Sequence, residues 1–172
     1  MVIECCSQEK TFLKYFGLLG SRFCLISRAY AEAFCEAFRA QYASCHRLET
    51  NKLRNVAKLF AHLLHTDSLP WHVLAGVRLT ADDTTPSSRI FIKVLVMELA
   101  EYMGLARLRS RMLARESSEA MAGLLPRDNV RHTRFSVNFF TSIGLGALTD
   151  DLRAFLKAHS AASASVVGAA LS

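Results

Sequence analysis

Apolar side chains return at helical spacing in segment after segment of this chain, and no useful length of it alternates apolar with polar. A repeat near 3.6 suits a helix that buries one face, whereas a half-buried strand needs a repeat of two, so the fold must come from helices sheltering one another. Between residues 8 and 26 the apolar positions are Phe12, Phe16, Leu19, Phe23 and Ile26, and after Ser27 they are Tyr30, Phe34, Phe38 and Tyr42. Four-residue steps drift slowly around a helix and give a broad buried stripe. Eight Gly and three Pro in 172 residues leave these runs little punctuated, and 51% apolar content is ample for one core.

The boundaries follow from caps and breakers. Ser27 is placed to cap a helix over about 28–46, and Thr50 or Asn51 to cap a third with Leu53, Val56, Phe60, Leu63 and Leu64 facing inward. Thr66 through Trp71, with Pro70, opens a short helix, and Thr80 to Pro86 is a polar loop. Ser87-Ser88-Arg89 leads into a helix whose Ile90, Phe91, Val94, Leu95, Val96, Met97 and Leu99 leave only a thin polar strip, the mark of a helix central to its bundle. Gly104 sits where a left-handed residue closes a helix. A basic helix over 105–115, a weak one over 117–124 ending at Pro126, one over 130–143 capped by Asp128 or Asn129, and a last from Asp150 to Lys157 capped by Thr149 complete the series. In the 130–143 helix Arg131, Arg134, Asn138 and Ser142 trace a polar stripe. About eight helices with short connections give an all-α fold of stacked antiparallel helix pairs. Residues 1–158 form the domain, and 159–172 an Ala/Ser-rich disordered tail with little to bury.

The five cysteines, an odd number on largely apolar helices, argue for a reducing compartment rather than a disulfide framework. No signal peptide is seen at the start, and Lys93 and Glu98 interrupt the most hydrophobic helix, so a soluble intracellular protein without membrane association is expected. The net charge of +6 suits an acidic or nucleic-acid-rich neighbourhood as readily as a merely basic surface.

Catalytic signatures are missing: there is no phosphate loop, dinucleotide fingerprint, nucleophile elbow or metalloprotease helix. The best metal set joins Cys45-His46 to His62 and His65, but adjacent residues on a helix do not converge on one ion, and the histidine pair has no matching cysteine pair. Cys35 and Cys45 read as small hydrophobes in helix interfaces. Asp82-Asp83 and Asp150-Asp151 read as caps or solvated charge. No cofactor, metal or catalytic residue is expected. Arg107, Arg109, Arg111 and Arg115 are candidates for RNA contact, although alternation scatters them around a helix and no exposed aromatic residues interleave them, so a solvated face is the plainer reading. Trp71 reads as a core staple before a partner anchor.

Several long strings carry a family resemblance. His46-Arg47-Leu48-Glu49-Thr50-Asn51-Lys52-Leu53-Arg54-Asn55-Val56-Ala57-Lys58, the continuation Phe60-Ala61-His62-Leu63-Leu64, and Thr66-Asp67-Ser68-Leu69-Pro70-Trp71 are the first. Ser87-Ser88-Arg89-Ile90-Phe91-Ile92-Lys93, Leu124-Leu125-Pro126-Arg127-Asp128-Asn129 and Thr133-Arg134-Phe135-Ser136-Val137-Asn138-Phe139-Phe140-Thr141-Ser142-Ile143-Gly144-Leu145-Gly146 complete the set. Over roughly residues 2–157 the chain resembles the C-terminal MI domain of the nucampholin family, spliceosomal relatives of initiation factor 4G.

The resemblance implies a HEAT-like α-α superhelix acting as a non-catalytic scaffold in the nucleus, docking in the spliceosome and supporting pre-mRNA splicing and exon-junction-complex assembly. It implies spliceosomal partners, the large U5 core proteins first, with pre-mRNA or snRNA nearby. The family's DEAD-box helicase is gripped by a preceding middle domain that these residues do not include. It implies also that the family's MI domain begins before Met1, so that one or two opening helices are absent and apolar faces are left uncovered, and that the Ala/Ser end stands in place of a charged tail. Arg127, Asp128, Asn129, Arg131 and Arg134 are the candidate partner contacts, as charged groups at a helix start; capping by Asp128 and Asn129 is the competing account. Two other functions stay open: an MI-domain translation or ribosome-biogenesis factor binding a DEAD-box helicase, and direct RNA binding through the arginine helix.

Overall fold

The computed structural model describes residues 1–170, with side chains as far as Ser163, and within that span holds nine α-helices and no strand. They are α1 (Val2–Gln8), α2 (Lys14–Ile26), α3 (Arg28–Ala43), α4 (Thr50–His65), α5 (Pro86–Met103), α6 (Leu105–Leu113), α7 (Ser118–Met121), α8 (Val130–Ser142) and α9 (Asp150–Ala170). Short 3-10 turns occupy Cys45–Arg47, Trp71–Gly76, Arg115–Ser117 and Gly146–Thr149.

The apolar run in α5 makes it central, as its composition predicts. Phe91, Ile92, Leu95, Val96 and Leu99 are buried, and the exposed strip is Lys93, Met97 and Glu101. Its main partner is α4, where Leu53, Val56, Leu59, Phe60, Leu63 and Leu64 are almost wholly shielded from water. Lys58 meets Glu98 at 3.2 Å, and His65 stacks on Tyr102 with ring centroids 4.3 Å apart, so the two helices run the same way. From α3, Phe38 sets an edge against both Phe60 (5.0 Å) and Phe91 (5.9 Å) and joins the helices into one core. Truncating a ring so placed costs about 3–5 kcal/mol. Adjacent helices α2 and α3 fold back on each other about Ser27, with Phe23 against Tyr30 at 5.1 Å. The Ser27 hydroxyl accepts from the Ala29 amide at 3.2 Å, the cap expected there.

Because α4 and α5 are parallel, the connection 66–85 must carry the chain back, and it does so fastened to the end of α4. Thr66 Oγ1 donates to the His62 carbonyl at 2.8 Å, the Ser68 amide to Leu63 at 2.9 Å, and the Trp71 indole N–H to Leu64 at 3.1 Å. The last-turn carbonyls of α4 therefore have partners, and Trp71, 5% exposed, is a core staple. Pro70 precedes the short helix expected there, which is of the 3-10 kind and spans Trp71–Gly76. The connection closes in a capping box, in which Thr85 Oγ1 accepts from the Ser88 amide at 3.2 Å and Ser88 Oγ from the Thr85 amide at 2.8 Å.

Several expected boundaries are corrected. The helix expected over 8–26 begins only at Lys14, and a separate helix, α1, ends at Gln8. Asn55, on α4 and 4% exposed, donates its amide N–H groups to the carbonyls of Cys6 (3.2 Å) and Glu9 (2.8 Å), so a distant side chain takes the acceptors that end α1. The third helix starts at Thr50 after Glu49, with no side-chain cap bond from Thr50 or Asn51. The basic helix stops at Leu113, and Arg115 opens a 3-10 turn. Thr149 does not cap the last helix: its hydroxyl donates to Gly146 O at 2.7 Å within a 3-10 turn. Helix α9 runs to Ala170, past Lys157; Ala supports it through backbone propensity alone, since residues 159–163 are exposed.

Gly104 adopts φ 79 and ψ 149, a region glycine occupies without strain. Its amide bonds Ala100 O at 2.9 Å to close α5, and α6 begins at the next residue. At the other end of the molecule Leu18 (55%), Leu25 (78%), Ile26 (67%) and Tyr30 (47%) stand exposed on α2 and α3. Beside them lies an apolar groove of about 460 Å³ bounded by Val2, Ile3, Phe23 and Phe34.

A candidate docking groove

Glycine, threonine and serine fix the loop after α7. At Gly123 the backbone lies so close to Val77 that a Cβ would fall on the Val77 carbonyl, and the Leu79 amide donates to Gly123 O at 2.9 Å. From the other side, buried Thr133 Oγ1 donates to Pro126 O (2.8 Å) and buried Ser136 Oγ to Leu124 O (2.7 Å). Loop 123–128 is thus pinned between residues 77–79 and α8. It forms one wall of a groove of about 710 Å³ whose floor is Met112, Met121 and Leu125 and whose rim carries Arg78, Arg127, Asp128 and Asp151.

The rim charges are paired, some closely and some loosely. Asp128 accepts from His132 Nδ1 at 2.8 Å, and that bond holds its carboxyl below the usual carboxylate range. Arg78 reaches Asp83 at 3.3 Å and Asp128 at 3.6 Å. Arg127 comes no nearer than 3.9 Å to Asp151, and Arg131 no nearer than 3.6 Å to Asp82. Arg134 is exposed with no ion pair among the described residues. Asn129 Oδ1 accepts from the His132 amide at 2.9 Å and caps α8. The candidate contacts therefore divide: Asp128 and Asn129 are engaged inside the fold, and Arg127, Arg131 and Arg134 project from it.

The arginine helix divides too. Arg109 spans Asp150 (3.7 Å) and Asp151 (3.5 Å), and Arg111 is held by Asp67 at 2.6 Å and lies over the Trp71 ring at 5.3 Å. Arg107 and Arg115 are exposed with no ion pair among the described residues. Asp150 and Asp151 pair with Arg109, while Asp82 and Asp83 pair with Arg131 and Arg78 outside this helix. Arg78, Met112 and Met121 were not singled out in the sequence, where nothing local distinguishes a groove-lining methionine from a core one.

Among the described residues no three His, Cys, Asp or Glu side chains gather as metal ligands. His62 and His65 sit edge to face with centroids 5.1 Å apart, while Cys45 is buried in its own turn. All five cysteines are free, and burial, followed by the charge of Glu9, pushes the Cys6 thiol up to about 12. No described helix is long and apolar enough to cross a membrane.

Packed parallel and antiparallel helices, polar groups spent on caps and ion pairs, and a groove with a methionine floor define an all-α helical module. Residues 1–70 match the MA3 domain family. The chain is 57% identical over 157 residues, 91% of its length, to the pre-mRNA-splicing factor CWC22 homolog of Mus musculus. It is equally similar to the Drosophila melanogaster homolog (57%), and 54% identical to pre-mRNA-splicing factor cwc22 of Emericella nidulans. It spans 17% of the mouse protein, 12% of the fly protein and 18% of the fungal one. The chain is thus similar in its first 70 residues to MA3 (MI-type) domains and over 157 residues to these splicing factors of the nucampholin family.

Proposed function

We propose that this chain is a non-catalytic docking module in pre-mRNA splicing, working in the nucleus inside the spliceosome and supporting exon-junction-complex assembly. The observation that carries the reading is the groove between α6, α7 and loop 123–128. Its methionine floor can repack around an apolar side chain, and Arg127 at its rim is held too loosely to be a structural ion pair. The names of the relatives supply the setting, since each is a splicing factor. The partners proposed are spliceosomal proteins, the large U5 core proteins foremost, met by Arg127 at the rim, by Arg131 and Arg134 on α8 beyond it, and by an apolar anchor of their own on the floor. Exposed rim arginines steer encounter, and the buried floor supplies affinity.

Tagged chain incubated in splicing-competent nuclear extract is expected to retain U5 core proteins. A double variant, Arg127→Glu with Leu113→Asp, changes two exposed positions at the groove and is expected to lose them while melting at the same temperature as the parent. Undiminished recovery of U5 proteins by that variant would falsify the groove assignment. Recovery of ribosome precursors or the translation-initiation helicase in their place would overturn the splicing reading.

A further inference from the structure

The sequence shows arginines on α6 with no aromatic residues between them, but the fold supplies aromatics from elsewhere. Tyr102, near the end of α5, stacks face to face on His65, near the end of α4, with planes 10° apart and centroids 4.3 Å apart. Both rings are half-buried and line a second groove of about 530 Å³, which continues along α6 past Met103, Arg107, Ser110 and Arg111. Its size suits one nucleotide, not a double helix. Arg107 has no carboxylate partner among the described residues. Lys14, exposed on α2, is near enough for its charge to disfavour protonation of both His62 and His65.

The acidic groups nearby are largely answered. Asp67 is held by Arg111 at 2.6 Å, and Glu98 by Lys58 at 3.2 Å, which leaves Glu101 against Lys14 and Arg107. A flat aromatic platform with an unpaired guanidinium at its edge is the combination that binds unpaired bases, since every base has a stacking face and every step a phosphate. A duplex keeps those faces covered.

We propose that this groove holds a nucleotide of single-stranded RNA, its base against the Tyr102–His65 stack and its phosphate on Arg107. The choice of RNA over DNA rests on the splicing reading above; the stacking geometry does not.

The test is fluorescence anisotropy of the full chain with labelled ten-nucleotide oligouridine and oligoadenosine RNA, the matching DNA, and an RNA duplex, at about 50 and 200 mM salt. Measurable binding of single-stranded RNA at the lower salt is expected, weakened about tenfold by Tyr102→Ala and retained by Tyr102→Phe. Arg107→Gln should lower affinity and reduce the salt slope by roughly 0.7. Arg115→Gln, equally exposed and outside the groove, should leave the Tyr102 dependence intact. Photocrosslinking followed by peptide mapping should mark Tyr102. The assignment is overturned by no binding at low salt, by Tyr102→Ala binding like the parent, or by Arg115→Gln matching Arg107→Gln. Duplex bound as tightly as single strand refutes the stacking, and DNA bound as tightly as RNA refutes the choice of ligand while leaving the docking groove untouched.

Discussion

His62 should make the fold acid-sensitive in a definite window. Its ring is 2% exposed, lies against Gly17 on α2, and has no hydrogen-bond partner on either nitrogen. Burial, with His65 and Lys14 adding to it, lowers its pKa from 6.5 to about 4. The unfolded chain therefore takes up a proton as pH falls through 6.5, and the folded chain only near 4. Stability is complete above the upper value and declines steadily between the two. At about 1.4 kcal/mol per pH unit the whole interval is worth about 3 kcal/mol. For a domain of this size that corresponds to roughly 6–12 °C in melting temperature. Replacement by leucine keeps the volume close and removes both orphan nitrogens. Urea unfolding of parent and His62→Leu at pH 7 and pH 4.5 measures the effect. The carboxylates titrate in both proteins, so the difference between them isolates this ring. The parent should lose about 2–3 kcal/mol more than the variant over that interval, and the variant should be at least as stable at pH 7. Equal losses in the two proteins would show that the ring is not held neutral by burial.

Asn55→Ala removes both bonds to the carbonyls ending α1 and should cost about 2–4 kcal/mol. Hydrogen exchange should then reach the amides of α1 well before those of α4; unchanged protection of α1 would refute the capture. Gly123→Ala drives a methyl group into the Val77 carbonyl, where backbone must move, so a loss of about 3 kcal/mol or more in chemical denaturation is expected. A near-neutral result would mean that residues 77–79 and 123 do not touch. Thr85→Ala breaks one arm of the capping box and should cost about 1 kcal/mol, read as a lower urea midpoint with an unchanged slope.

What the sequence discloses is local. Ser27, Asn129 and Gly104 act within a turn of themselves, and the structure uses them as their chemistry predicts. The crowding of apolar residues from Ile90 to Leu99 likewise leaves α5 nowhere to go but the centre. The end of α1 is decided by Asn55, far along the chain, so no window over residues 1–26 contains the information that stops α1 at Gln8 and delays α2 to Lys14. The site is less legible for the same reason. Arg107 looks isolated on its own helix, and only the parallel course of α4 and α5 brings His65 and Tyr102 beside it. Met112 and Met121 look like any core methionines until loop 123–128, pinned by Thr133 and Ser136, leaves a channel above them.

Gly104 has a wider consequence. Helix α6 presents Met112 and Leu113 to one groove and Arg107 and Arg111 to the other, and it joins α5 through the single residue Gly104. Adding one residue at that joint would rotate α6 by about 100° and turn both linings away together. A side chain at Gly104 would strain the same hinge. Neither surface can therefore be re-aimed without the other by changing the connection, and the orientation of both toward α5 is stored in the two torsions of one glycine.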